Sequence, residues 1–139
     1  AYPDQKFVVG SMLNVPFSDQ SFDIVVAIAS LQHIPSAKLR LQALSEMYRV
    51  AKPGATLFML NWNLYQPALP NYFLNDPNYD IGDAMVPWKN SAGTVLTQRY
   101  YHGFKLEELE QLLQQTDWKL TDQYYSEKDY NIVTVARAD

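Results

Sequence analysis

Apolar and polar positions along this chain fall into blocks of changing period. Ile24 to Leu31 is an almost unbroken apolar run rich in Val and Ile. That is the pattern of a strand covered on both faces, as in a parallel sheet. Polar residues return at Gln32 and His33, and Pro35-Ser36 opens a helix with Ser36 as its N-cap. Leu39, Ala43, Leu44, Met47, Val50 and Ala51 recur every three or four residues and form one apolar face. Lys38, Arg40, Gln42, Ser45 and Arg49 fall mainly outside it, and Glu46 and Arg49 are spaced for a surface pair. Lys52-Pro53-Gly54 stops the helix with a cation, a residue that cannot continue it and a free-φ turn. Ala55 to Leu60 is the next buried strand, running out at Asn61-Trp62-Asn63. Ser21 to Trp62 is thus one β-α-β unit. Its loop, Ser30 to Pro35, lies where open α/β sheets bind ligands, outside the carboxyl ends of the strands.

Around this unit the pattern is less regular. Lys6 to Gly10 predicts a short strand, followed by a loop from Ser11 to Asp19 in which Phe17 is an inward anchor. Periodicity fades from Leu64 to Thr97, where Pro67, Pro70, Pro77 and Pro87 sit among several Asn and Asp. So long an excursion implies a use. Residues 64–104 are read as a substrate-side lid holding short helical pieces, with Val95 to Phe104 an extended return to the sheet. Leu106 to Gln115 predicts a second helix with Leu109, Leu112 and Leu113 inward. Trp118 to Tyr125 and Asn131 to Arg137 predict an antiparallel hairpin around Ser126 to Asp129. The fold class is α/β, one domain over residues 1–139, with a parallel sheet and an antiparallel finish.

Composition narrows the chemistry. With 47% hydrophobic residues the chain can build a core. A net charge of −4 argues against a nucleic-acid binder working through a general basic surface. The absence of cysteine removes disulfides, thiolate metal sites and a Cys nucleophile, and two histidines do not make a structural zinc site. No metal is expected; Asp19, Asp23, Asp76, Asp80 and Asp83 match no calcium-loop spacing and read as solvated turn acids. No apolar run reaches the ~20 residues that span a bilayer. A cytoplasmic protein without membrane contact is the plain expectation.

The segments "VPFSDQSFDIVVA", "LQHI", "ALSEMYRVAKPGATLFM" and "FKLEELEQLLQQTDW" together resemble class I S-adenosylmethionine-dependent methyltransferases, type 11 among them. The KPG turn behind E-x-x-R-V is the most specific piece. "RYYHGF" and the aromatic stretch after "LNWNLYQ" resemble the tRNA wobble-uridine carboxymethyl methyltransferases and their bacterial relatives. The family's seven-stranded sheet ends in such a hairpin. Its opening strands, with a Gly-rich turn, have no counterpart here, because the chain has no G-x-G. The resemblance therefore implies a partial Rossmann-like sheet, the truncated C-terminal portion of an enzyme. The missing N-terminal half, or a second copy meeting open sheet edges in a homo-oligomer, would complete it.

The resemblance also assigns roles. Gly10, Ser11, Met12 and Leu13 correspond to the loop holding the cofactor's adenine, with Ser11 where the family usually has Asp. Ile28, Ala29, Ser30 and His33 correspond to the loop around its methionine end. On the acceptor side stand Gln32, Asn61, Trp62, Arg99 and His102. His33, Arg99, Tyr100 and Tyr101 are the implied catalytic group, since an Arg beside two Tyr suits a carboxylate or phosphate clamp with a stacking surface. For each a plainer role stands alongside: His33 as a cap on the strand end, Arg99 in a surface ion pair, the Tyr rings as core. Two functions follow. One is methyl transfer from S-adenosylmethionine to a small-molecule or tRNA acceptor, a carboxylate or wobble uridine, within a larger enzyme. The other is a catalytically silent fragment or interaction module that self-associates.

Overall fold

A computed structural model describes residues 6–139. Its main sheet holds β1 (Phe22–Ile28), β2 (Ala51–Trp62), β5 (Trp118–Tyr125) and β6 (Asn131–Ala138), in the order β1-β2-β6-β5. β1 and β2 run parallel, joined through α1 (Ala37–Val50), and β6 is antiparallel to both its neighbours. The architecture is the expected partial α/β sheet with an antiparallel finish.

α1 and α2 (Leu106–Gln114) cover one face of this sheet. Ala43, Leu44 and Met47 from α1 and Leu109, Leu112 and Leu113 from α2 meet Ala27, Leu57, Met59, Ile132 and Ala136 in a single buried cluster. Ser36 caps α1, its Oγ accepting from the Leu39 N–H, as its position before the apolar period requires. Helix α1 ends at Val50, and Lys52-Pro53-Gly54 lies inside a long bulge at the start of β2. Phe22 pairs with Ala51 but Ile24 already with Thr56, and Gly54 takes a φ of 81° to make the excursion.

Two expectations about strands are corrected. Lys6 to Gly10 forms no strand and lies exposed, because no described strand runs beside it to take its backbone hydrogen bonds. β1 is covered on one face only: Val25 and Ala27 turn to the core, while Ile24, Val26 and Ile28 stay 64%, 55% and 60% exposed. β1 is an edge strand, and no described element packs on that side.

Residues 64–104 hold a second sheet in place of the expected helical pieces. β3 (Asp83–Lys89) and β4 (Val95–His102) pair as an antiparallel hairpin. At its tip Asn90 Oδ1 accepts from the Ala92 and Thr94 N–H groups. The hairpin has its own small core of Leu64, Ala84 and Tyr101, flanked by Leu69, Tyr72, Phe73 and Val86. No helix among the described residues is long and apolar enough to cross a membrane.

The loop before β1 is pinned by a clamp that the sequence reading took for a simple surface pair. Glu46 binds Arg49 at 2.9 Å and accepts from the Val15 N–H, while Arg49 also reaches Asp19, the Phe17 carbonyl and the Val15 carbonyl. The Arg49 hydrogen bonds hold the Glu46 carboxyl below its ordinary 4.5, helped by the Val15 N–H against the opposing effect of burial. A depressed folded-state value stabilises the fold at pH above the ordinary value, and the benefit is lost as pH falls through the folded value. Glu46→Gln should therefore lower the urea midpoint at about pH 7, with the gap to the wild type closing below about pH 4. An equal gap at both pH values would show that the carboxylate charge is not what stabilises the loop.

Candidate active site

Because β1 and β2 are parallel, their carboxyl ends share one rim. The turn after β1 starts at Ala29, whose N–H donates to the Leu60 carbonyl and whose φ of 47° is unusual for a residue with a side chain. A single 3-10 turn, Leu31–His33, follows, with Leu31 and Gln32 buried. Gln32 Oε1 accepts from the Trp62 N–H at 2.7 Å, so the loop after β1 is tied to the end of β2. β4 comes back over this rim. The Tyr101 ring stacks on Trp62 at 5.3 Å and 18° and lies 4.4 Å from the His33 ring. His33, Trp62 and Tyr101, from three separate segments, thus meet in one aromatic group.

His33 donates from Nδ1 to the Tyr100 carbonyl at 3.1 Å. A carbonyl only accepts, so a neutral His33 keeps its proton on Nδ1 and presents the Nε2 lone pair. Tyr100 itself turns the other way. Its hydroxyl donates to Asp83 at 2.6 Å and accepts from Arg40 at 3.3 Å. Burial, then the hydrogen bond to Asp83, pushes its phenol well above the ordinary 10. It is therefore a neutral donor, held away from the rim.

Beneath the rim lies a polar network that corrects several sequence expectations. Arg40, placed outside the helix's apolar face from sequence, is 1% exposed. It donates to the Ile34 carbonyl at 3.2 Å and to Asp80 at 2.7 Å, and stands 4.0 Å from Asp83. Asp83, read as a solvated turn acid, is buried. His102, read as an acceptor contact, is fully buried with Nδ1 on Asp83 at 2.7 Å and Nε2 on Glu108 at 2.6 Å. With both ring nitrogens engaged it holds the hairpin to α2. A signal for Arg40 was present: it sits three, four and seven residues before Ala43, Leu44 and Met47, on the buried stripe.

The other expected site residues are dispersed. The Arg99 guanidinium lies 3.6 Å over the Trp88 ring, out on the exposed hairpin, rather than pairing with a described carboxylate. Asn61 is wholly buried at the end of β2, with no described partner for its side-chain amide. Gln32 is likewise buried, its Nε2 without a described partner, and acts through the Trp62 backbone. Near Gly10, Ser11 is exposed and its Oγ accepts from the Leu13 N–H at 3.2 Å, while Met12 and Leu13 lean on the core. Met12 and Ser30 share a cavity of about 370 Å³ that runs along β1 over Ile24 to Ala27. Ile28 and Ala29 stand at its strand-end side, on the rim.

Comparison with known proteins bears on the fold. A profile for the methyltransferase domain matches residues 1–59. The crystal structure of a SAM-dependent methyltransferase from Methanosarcina mazei superposes with a TM-score of 0.74 at 24% identity, over 96% of this chain and 66% of that one. The fold is thus that of solved S-adenosylmethionine-dependent methyltransferases, and the first 59 residues are similar in sequence to the methyltransferase domain. Among curated proteins it is 27% identical over 145 residues to the tRNA (carboxymethyluridine(34)-5-O)-methyltransferase of Schizosaccharomyces pombe, covering 91% of this chain and 62% of that protein. An Encephalitozoon cuniculi relative carrying a methyltransferase name is 30% identical over 118 residues, 85% of this chain and 54% of its own length. The chain spans about half to two thirds of the length of these relatives.

Proposed function

We propose that this chain forms the acceptor-side portion of an S-adenosylmethionine-dependent methyltransferase, and that its acceptor is a carboxylate on a tRNA wobble uridine. The convergence of His33, Trp62 and Tyr101 on the carboxyl rim carries this reading. The name of the S. pombe relative supports the acceptor, and the methyltransferase-domain match and the M. mazei neighbour support the cofactor.

The residues present fit one wall of a cofactor pocket. Met12 and Ser30 lie on the cavity along β1, and the turn at Ala29 offers backbone carbonyls to an ammonium group. The cofactor supplies an activated methyl group, so the protein's task is chiefly alignment. His33, fixed through Nδ1, orients the acceptor; to meet a carboxylate it must carry a second proton on Nε2. Arg99, stacked on Trp88 but two residues before Tyr101 and so on the same face of β4, would take the carboxylate or a neighbouring phosphate. The part of the longer relatives that this chain does not span would cover Ile24, Val26 and Ile28 and supply the second wall.

That same bare strip favours the second reading, a silent module held by self-association through β1. Calorimetric titration of the folded, monodisperse chain with S-adenosylhomocysteine separates the two. Saturable binding is expected, and its absence from such a sample excludes a cofactor role for this chain on its own. In a protein carrying both halves, His33→Ala and Arg99→Ala should each slow transfer to tRNA by at least about tenfold. Unchanged rates in both would remove these residues from the site.

A further inference from the structure

Beside the rim, Trp62 borders a separate cavity of about 390 Å³. Trp62, Leu64, Leu69, Tyr72, Val86 and Tyr130 form its walls, drawn from the end of β2, the segment after it, β3 and the corner entering β6. We infer that this cavity binds an uncharged planar ring, stacked on Trp62, as the acceptor's recognition group.

Charge is the first argument. In a chain with 19% charged residues, none of the described residues lining this cavity is charged, and its polar groups are the Gln66 and Asn131 amides and the hydroxyls of Tyr72 and Tyr130. A carboxylate or phosphate placed here would lose its hydration without a counter-ion, which is costly. A ring with amide-like edges loses little and has two amide residues at hand.

Shape and continuity are the second. Three aromatic residues, Trp62, Tyr72 and Tyr130, line a space within the range of small-molecule sites. The Trp62 indole is stacked on Tyr101, yet is still 39% exposed. A ring laid on it extends the sequence His33, Tyr101, Trp62 by one member. Aromatic stacking contributes about 1–3 kcal/mol per base where it has been measured by alanine substitution. The charged part of an acceptor is then left outside, toward His33 and Arg99. That the ring belongs to the acceptor, and this orientation, rest on the function proposed above; binding of the ring itself does not.

The test uses indole as the uncharged probe and indole-3-carboxylate as the same ring with a charge, added to the chain without cofactor. Binding is read from the Trp62 Nε1–H signal in a nitrogen-15 correlation spectrum, with the buried Trp118 signal as the reference for folding. Indole should shift the Trp62 signal saturably, indole-3-carboxylate should bind at least tenfold more weakly, and Leu69→Arg should weaken indole at least tenfold. An unmoved Trp62 signal in a folded sample, equal binding of both probes, or full binding by a folded Leu69→Arg chain would each overturn the inference. Loss of S-adenosylhomocysteine binding alone would count against the proposed function and leave this cavity standing.

Discussion

Arg40→Met should cost the fold about 3 kcal/mol or more, the lower end of the 3–5 kcal/mol seen when one partner of a buried ion pair is removed. The guanidinium is fully enclosed and binds the Ile34 carbonyl, the Tyr100 hydroxyl and Asp80, with Asp83 4.0 Å away. Two features keep the cost from the upper end. Asp83 retains Tyr100 and His102 as partners, and Asp80 is partly exposed to water. Arg40 Nε has no described partner either, so its own desolvation is incompletely offset. Against a typical domain stability of about 5–15 kcal/mol the loss is still large. It should appear as a lower urea midpoint with an unchanged slope. Tyr100→Phe, which removes one donor from Asp83, should cost about 1–3 kcal/mol. A cost under about 1 kcal/mol for Arg40→Met would mean that the network is not what seats the hairpin. The site should feel this change too, because Arg40 grips both the end of the His33 turn and the strand whose carbonyl receives His33 Nδ1.

Trp118→Ala should cost about 3–5 kcal/mol, as large aromatic truncations in cores do. The indole is buried at the start of β5, meets Tyr48 edge-on at 5.2 Å and donates from Nε1 to the Leu44 carbonyl at 3.1 Å. It thereby fastens the outer strand of the sheet to the middle of α1. Trp118→Phe keeps most of the ring and loses the donor, for an expected cost of about 0.5–1.5 kcal/mol. Thermal unfolding of both variants measures the difference. Equal destabilisation by the two would place the effect in the hydrogen bond rather than in the packing.

The elements with one clean period were legible in the sequence. α1, α2 and the β5–β6 hairpin fall where apolar spacing and turn residues put them, and the β-α-β unit led directly to the rim. The hairpin β3–β4 was not legible: Pro87 sits within β3, and Met85, Val86 and Trp88 do not alternate with polar residues, because the strand packs on its own small cluster. Lys6 to Gly10 was misread for the opposite reason. Its composition suits a strand, but strand formation needs a neighbour, which local sequence does not report. Of the candidate site, His33, Trp62 and Tyr101 could be anticipated from their places at strand ends and in the return segment. The burial of Asp83 and His102 could not, since Asp83 depends on Arg40, some forty residues away in the chain, and His102 on Asp83 in turn.

The antiparallel finish of the sheet also has a practical use. β6 begins beside Trp62 at the rim and makes its last pairing with β2 at Arg137, beside Thr56, toward the opposite end of β2. Six or seven residues at about 3.3 Å each separate the two ends by roughly 20 Å. Because the chain has no cysteine, Asp139→Cys would introduce a single thiol for a fluorescent or spin label. Such a label would sit on the far end of a rigid strand, out of reach of a ligand at His33, and would report distances to the rim without touching it.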